Sequence, residues 1–91
     1  MDNKTIQLIQ SAANKFNIDK VILFGSRAKN NSFSRSDYDL FVCGEDFYKF
    51  YDYMTEDVIS LETFDITNGN TASQELINEV NRTGVVIYEK A

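Results

Sequence analysis

The sequence contains no histidine, no proline and no tryptophan, and it has a single cysteine among its 91 residues. The absence of histidine excludes histidine acid–base catalysis and histidine-ligated zinc within this chain. Cys43 has no partner for an internal disulfide, and the N-terminus carries no export signal, so we expect a protein of the reducing cytoplasm. Long apolar runs are also absent, which argues against a membrane span.

The chain is short, acidic and rich in aromatic residues. Its 91 residues are enough for one small domain with one core, and we expect a single domain over residues 1–91. Seven phenylalanines and five tyrosines indicate a folded globular protein. The formal net charge of −5 repels phosphate backbones and argues against direct binding of nucleic acid.

Helix and strand patterns alternate along the sequence. Apolar residues recur at helical spacing from Asn3 to Phe16, and the continuous apolar run Val21–Phe24 is typical of a buried strand. The next residues predict a short helix at Ser26–Lys29, a polar loop at Asn30–Ser36 and a strand at Tyr38–Val42. A second longer helix is expected after the cap Asp46, followed by a strand near Ser60–Ile66. The last helix is predicted between the cap Thr71 and a left-handed cap at Gly84, and a strand at Val85–Tyr88 follows it. This order predicts an α/β (α+β) fold of two layers, with a mixed sheet of about four strands and about three or four helices.

The second predicted helix combines a core stripe with tyrosines outside it. Helical spacing places four residues on the buried stripe, namely Phe47, Phe50, Tyr51 and Met54. Tyr48 and Tyr53 fall outside that stripe. They fit either a partner surface or the ordinary amphipathic tyrosines of a small domain.

The most informative segment is GSRAKNNSFSRSDYDL at residues 25–40. The turn Gly25–Ser26 follows the first strand, whereas Asp37 and Asp39 open the second, where side chains two residues apart share one face. Neighbouring carboxylates repel unless a cation compensates, and magnesium binds one or two carboxylates together with substrate phosphates. Because the turn and the carboxylates meet only if the first two strands are antiparallel, we expect a mixed sheet.

A third carboxylate lies in the third predicted strand. Asp65 lies beside the first two aspartates if the second and third strands are neighbours in matching phase, whereas its rival Glu62 points to the opposite face. Three such carboxylates are suited to two metal ions about 3.5–4 Å apart, the arrangement used for phosphoryl displacement. Ser26 and the nearby amides fit a phosphate, and Arg27 fits either a triphosphate contact or an ordinary surface position.

These residues resemble the minimal nucleotidyltransferases, or MNT proteins, of the polymerase-beta-like superfamily. The resemblance is carried by FGSRA at residues 24–28, SDYDL at residues 36–40, Asp65 and the closing GVVIYE at residues 84–89. It implies the polymerase-beta-like nucleotidyltransferase fold, ATP as donor and two magnesium ions. It also implies transfer of a nucleoside monophosphate to a hydroxyl with release of pyrophosphate.

The resemblance also implies roles for individual residues. Asp37 and Asp39 would ligate both ions, and Asp65 would hold the catalytic ion and help to deprotonate the attacking hydroxyl. Gly25 and Ser26 would bind the phosphates of the nucleotide, and we expect Arg27 and Ser36 as further nucleotide-binding residues. The family often has a glycine where this chain has Asn30, and asparagine is the non-glycine residue that best tolerates a left-handed conformation.

The acceptor of the transferred group is expected on another protein, since only residues 89–91 follow the last predicted strand and leave no room for an acceptor domain. The resemblance supplies a candidate, because MNT proteins are commonly antitoxins that silence HEPN-domain ribonuclease toxins by adding AMP to a tyrosine. Two other interpretations stay open. The protein fits a binding antitoxin that neutralises its partner by occlusion, and it fits the catalytic subunit of a small-molecule (aminoglycoside-type) nucleotidyltransferase.

Overall fold

The structure is a computed structural model that describes residues 3–25, 38–58 and 63–91. Its elements are α1 (Asn3–Lys15), β1 (Lys20–Phe24), β2 (Tyr38–Cys43), α2 (Phe47–Asp52) with a π-helical continuation (Tyr53–Asp57), β3 (Phe64–Asn68), α3 (Gln74–Thr83) and β4 (Val85–Glu89). The predicted short helix Ser26–Lys29 and loop Asn30–Ser36 lie outside the described residues. None of the helices in the described ranges is long and apolar enough to cross a membrane.

Within the described ranges, four strands form one sheet in the order β3-β2-β1-β4. β1 is antiparallel to both β2 and β4, whereas β2 and β3 are parallel. The antiparallel pairing of the first two strands and the mixed sheet are therefore confirmed. The third strand begins at Phe64 and ends at Asn68, so it lies later in the chain than predicted, although Asp65 still falls within it.

Side chains alternate along the strands between the two faces of the sheet. The main core lies between one face and the helices α1 and α2, and it includes Ile9, Ala13, Val21, Leu23, Leu40, Val42, Phe47, Phe50 and Met54. On the other face, Val80 of α3 packs with Ile22 and Phe41 in a smaller cluster. Because two helices cover the first face and α3 covers only part of the second, polar side chains on the second face reach solvent.

The stripe predicted for α2 is correct at three of its four positions. The buried ones are Phe47, Phe50 and Met54. Tyr51 lies at the edge of the stripe and is 39 % exposed, so its assignment to the core is wrong. Tyr53 lies outside the buried stripe, as predicted, and its half-buried ring meets Phe16 edge-on with 5.6 Å between the ring centroids, which fits the ordinary amphipathic tyrosine of the two interpretations. The helix changes to π-helical geometry at Tyr53, which alters the angular spacing that the sequence pattern assumed.

Asp46 occupies the position before α2, as predicted, but its side chain makes no capping hydrogen bond. Its carboxylate instead accepts a hydrogen bond of 2.9 Å from the backbone amide of Asn17. The carboxylate therefore links the segment after α1 to the start of α2, a long-range contact that local sequence pattern does not reveal.

The two ends of α3 differ from the prediction. The cap is Ser73, whose hydroxyl accepts a 3.2 Å hydrogen bond from a backbone amide three residues on, and Thr71 lies outside the helix. Gly84 has an extended backbone (φ −83°, ψ 166°) rather than a left-handed one, because the chain passes directly into β4. Glycine is still required there for space, since a Cβ would lie 2.5 Å from Cγ2 of Ile22.

We expect Ser73→Ala to lower the free energy of unfolding by about 1 kcal/mol, because it leaves an amide of the first helical turn without its side-chain acceptor. Chemical denaturation followed by circular dichroism measures the effect. Thr71→Ala is the matched control and is expected to change the stability by less than about 0.5 kcal/mol. Equal losses in both variants would contradict the assignment of the cap to Ser73.

Candidate active site

Two aspartates face each other across the parallel pair of strands. Asp39 of β2 and Asp65 of β3 are direct partners in the register of the sheet. Directly paired residues of neighbouring strands lie about 4.8 Å apart and project their side chains to the same face. The adjacency and phase that the sequence analysis posed as conditions are therefore met for these two residues.

The two carboxylates lie on the face of the sheet that α3 only partly covers. The residues on either side of Asp39, Tyr38 and Leu40, are fully buried in the core beneath α1 and α2. Strand alternation therefore directs Asp39 to the opposite face. Asp39 is half-buried and Asp65 is exposed, so both carboxylates are accessible to a substrate from solvent.

Gly25 closes β1 directly beside Asp39. The last residue of that strand, Phe24, is paired with Asp39, and Gly25 follows with a φ of 77°, in the left-handed region that favours glycine. A Cβ built on Gly25 would overlap Oδ2 of Asp39. The Asp39 carboxylate therefore occupies the space that a side chain at position 25 would fill. This position requires glycine on both steric and conformational grounds.

An aromatic pair supports the carboxylates from the other face. Tyr38 and Phe64 immediately precede Asp39 and Asp65, are partners in the same parallel register, and have ring centroids 5.9 Å apart. The backbone amide of Tyr38 also donates a 3.0 Å hydrogen bond to the carbonyl of Thr63. This pair was not predicted from the sequence, although an aromatic residue directly before each aspartate was the signal for it.

The remaining predicted site residues lie outside the described residues, namely Ser26, Arg27, Ser36 and Asp37. The rival acid Glu62 lies outside them as well. Within residues 3–25, 38–58 and 63–91, no group of three or more acidic, cysteine or histidine side chains is arranged to hold a metal ion. The described part of the site therefore consists of Gly25, Asp39 and Asp65.

Cys43 lies at the other end of β2 from Asp39. Burial raises the pKa of its thiol above the ordinary value, while the charge of Lys20 lowers this pKa and that of Asp19 raises it. The thiol therefore stays protonated at neutral pH, and only the thiolate is a strong nucleophile. The chemistry available in the described residues consequently rests on carboxylates rather than on the cysteine.

Comparisons with known proteins agree with this arrangement. The family described as polymerase beta, nucleotidyltransferase matches residues 6–91 of the sequence. A crystal structure of a toxin–antitoxin with AMP-PNP is similar to the chain with a TM-score of 0.70 and 17 % identity, covering 98 % of this chain and 75 % of the other. A mutant of the toxin–antitoxin MntA-HpeT is similar with a TM-score of 0.68 and 16 % identity, covering 93 % and 73 %. No curated protein matches the chain significantly.

Proposed function

Since the chain belongs to the polymerase beta nucleotidyltransferase family, we propose that it transfers AMP from ATP to a hydroxyl group of a partner protein and thereby acts as an antitoxin. The observation that carries this proposal is the in-register pair Asp39 and Asp65 beside the side-chain-free Gly25. We further propose that residues 1–91 form one nucleotidyltransferase domain and that the protein works in the cytoplasm, where ATP is abundant.

The residues present fit magnesium. Two carboxylates on neighbouring strands supply the oxygen ligands that this hard cation prefers, and Gly25 leaves room for one of them. We propose that Asp39 and Asp65, together with Asp37, hold two magnesium ions. Bound magnesium supplies electrostatic stabilisation of the charge that develops on the phosphate oxygens.

The proposed reaction forms one bond and breaks one bond at the α-phosphorus of ATP. The acceptor oxygen bonds to this phosphorus while the bond to the bridging oxygen of the β-phosphate breaks, and pyrophosphate leaves. Asp65 is the exposed carboxylate of the pair, and we propose that it accepts the proton of the attacking hydroxyl as a general base. Ser26, Arg27 and Ser36 are proposed to bind the phosphates with the amides around Gly25.

The partner is proposed to be a HEPN-domain ribonuclease toxin that is modified on a tyrosine. The two solved structures compared above are toxin–antitoxin assemblies, and one of them contains AMP-PNP. Their likeness to this chain supports a protein partner and a nucleotide donor. The tyrosine acceptor and the HEPN identity rest on the resemblance to MNT antitoxins.

The proposal is tested by incubating the protein with the product of its neighbouring gene, magnesium and ATP labelled at the α-phosphate. We expect label on the partner, and mass spectrometry should find an added AMP on a tyrosine. Transfer should stop when magnesium is chelated. An inhibited partner that carries no label would contradict AMP transfer and indicate occlusion, whereas label on an added aminoglycoside would indicate a small-molecule acceptor.

A further inference from the structure

α2 presents an exposed aromatic surface on the side of the molecule away from the two aspartates. Tyr48 is 71 % exposed and Tyr51 is 39 % exposed, whereas the other side of the same helix is buried in the main core. We call Tyr48, Tyr51, Asp52 and Glu56 the α2 surface. Asp39 and Asp65 project from the opposite face of the sheet, so the proposed transfer reaction does not use the α2 surface.

The two tyrosine rings of the α2 surface are held in place by a buried neighbour. Phe47 is only 4 % exposed, and its ring meets Tyr48 edge-on with 5.1 Å between centroids. The Tyr51 ring lies 6.1 Å from the same phenylalanine. Aromatic side chains that are held in this way lose little conformational entropy on binding, which is why tyrosine is enriched in protein interfaces.

The surroundings of these rings are strongly acidic. Residues 45–57 contain five acidic residues and one basic residue, so this segment carries most of the formal net charge of −5. The basic residue, Lys49, lies 3.9 Å from the Asp46 carboxylate. Asp52 follows Tyr48 by four residues, which makes the two side chains neighbours on the helix. A cation that stacks on the ring is therefore also close to a carboxylate.

We infer that the α2 surface docks an arginine-bearing, basic surface of the partner protein. Guanidinium groups stack on tyrosine rings and pair with carboxylates through two parallel hydrogen bonds, whereas a lysine ammonium does so less well. This inference rests on the proposed function only for the existence of a protein partner. It adds that docking and AMP transfer use opposite faces of the sheet and are separable by mutation.

The test is binding of a fluorescein-labelled oligo-arginine peptide, measured by fluorescence anisotropy without nucleotide, with an oligo-lysine peptide of equal length beside it. We expect tighter binding of the arginine peptide and amide NMR shifts confined to residues 45–57. The double variant Tyr48→Ser/Tyr51→Ser should bind the arginine peptide about tenfold more weakly and lose the preference over lysine. Circular dichroism verifies that this variant is folded.

Two charge variants distinguish binding of the peptide at the α2 surface from general electrostatic attraction between a basic peptide and an acidic protein. Asp52→Asn/Glu56→Gln should weaken binding, whereas Glu75→Gln/Glu79→Gln, which removes the same charge from α3, should not. Equal weakening by both pairs, or no effect of the tyrosine substitutions, would overturn the inference. Concentration-dependent self-association that the tyrosine substitutions abolish would also overturn it, because the occupant would then be a second copy of this chain. Since the assay contains no ATP, its outcome is independent of whether AMP transfer occurs.

Discussion

Asp39→Asn is expected to lower AMP transfer by about 10³-fold while the protein remains folded. The substitution keeps the shape of the side chain and removes the negative charge at the point where β1, β2 and β3 come together. A neutral amide attracts a divalent cation far less than a carboxylate does. Transfer of α-phosphate label from ATP to the partner measures the loss, and circular dichroism monitors the fold.

Asp19→Asn is the matched control for this variant. It makes the same chemical change at an exposed residue just before β1, at the opposite end of that strand from the partner of Asp39. We expect its transfer rate to stay within about twofold of the original, as is usual for surface substitutions away from a site. Comparable losses in both variants would show that the overall charge matters and would contradict a specific role of Asp39.

Gly25→Ala is expected to lower AMP transfer by about 10²-fold, because small displacements of a catalytic group have effects of that size. The new Cβ would overlap Oδ2 of Asp39, so the carboxylate has to move. The φ of 77° adds strain, since alanine in the left-handed region costs about 1 kcal/mol. Magnesium titration in the presence of ATP should show weaker binding, which distinguishes a displaced carboxylate from a general loss of stability.

Gly69→Ala separates the effect on the site from the effect on stability. A Cβ on Gly69 would lie 2.5 Å from Sγ of Cys43 and 2.7 Å from a ring carbon of Phe41, so this variant is also expected to be less stable. It leaves Asp39 untouched. Well below the melting temperature, we expect nearly full transfer activity from Gly69→Ala and little from Gly25→Ala. Equal activities would contradict the role of Gly25 in positioning Asp39.

Much of the described site was predictable from local pattern. The apolar run Val21–Phe24, the break at Gly25 and the phase of Asp39 follow from backbone geometry that acts over a few residues. The antiparallel pairing of the first two strands was expected because the turn and the carboxylates meet only in that arrangement, and it is confirmed. The family assignment, first suggested by the motifs around the same residues, is also confirmed.

The errors lie where contacts between distant segments decide the outcome. The sequence around Thr71 matches a helix-capping pattern, but Ser73 is the N-cap, because the turn after β3 determines where α3 begins. Gly84 was predicted to be a left-handed cap, but the immediate start of β4 gives it an extended backbone, and it is the close approach of Ile22 that requires glycine there.

The sequence by itself determined which residue types are available and which of them share a face within each strand, because side-chain alternation depends only on the local backbone. It also carried the motifs on which the resemblance to the family rests, and the family itself is shown over residues 6–91. Only the tertiary structure decided that β2 and β3 are parallel neighbours with Asp39 and Asp65 in register, and that Gly25 makes room for the first of them. Local periodicity excludes a slip of one residue between these strands, because such a slip would turn the apolar side chains to the other face. Which of the remaining registers forms depends on long-range packing, here including the Tyr38–Phe64 pair.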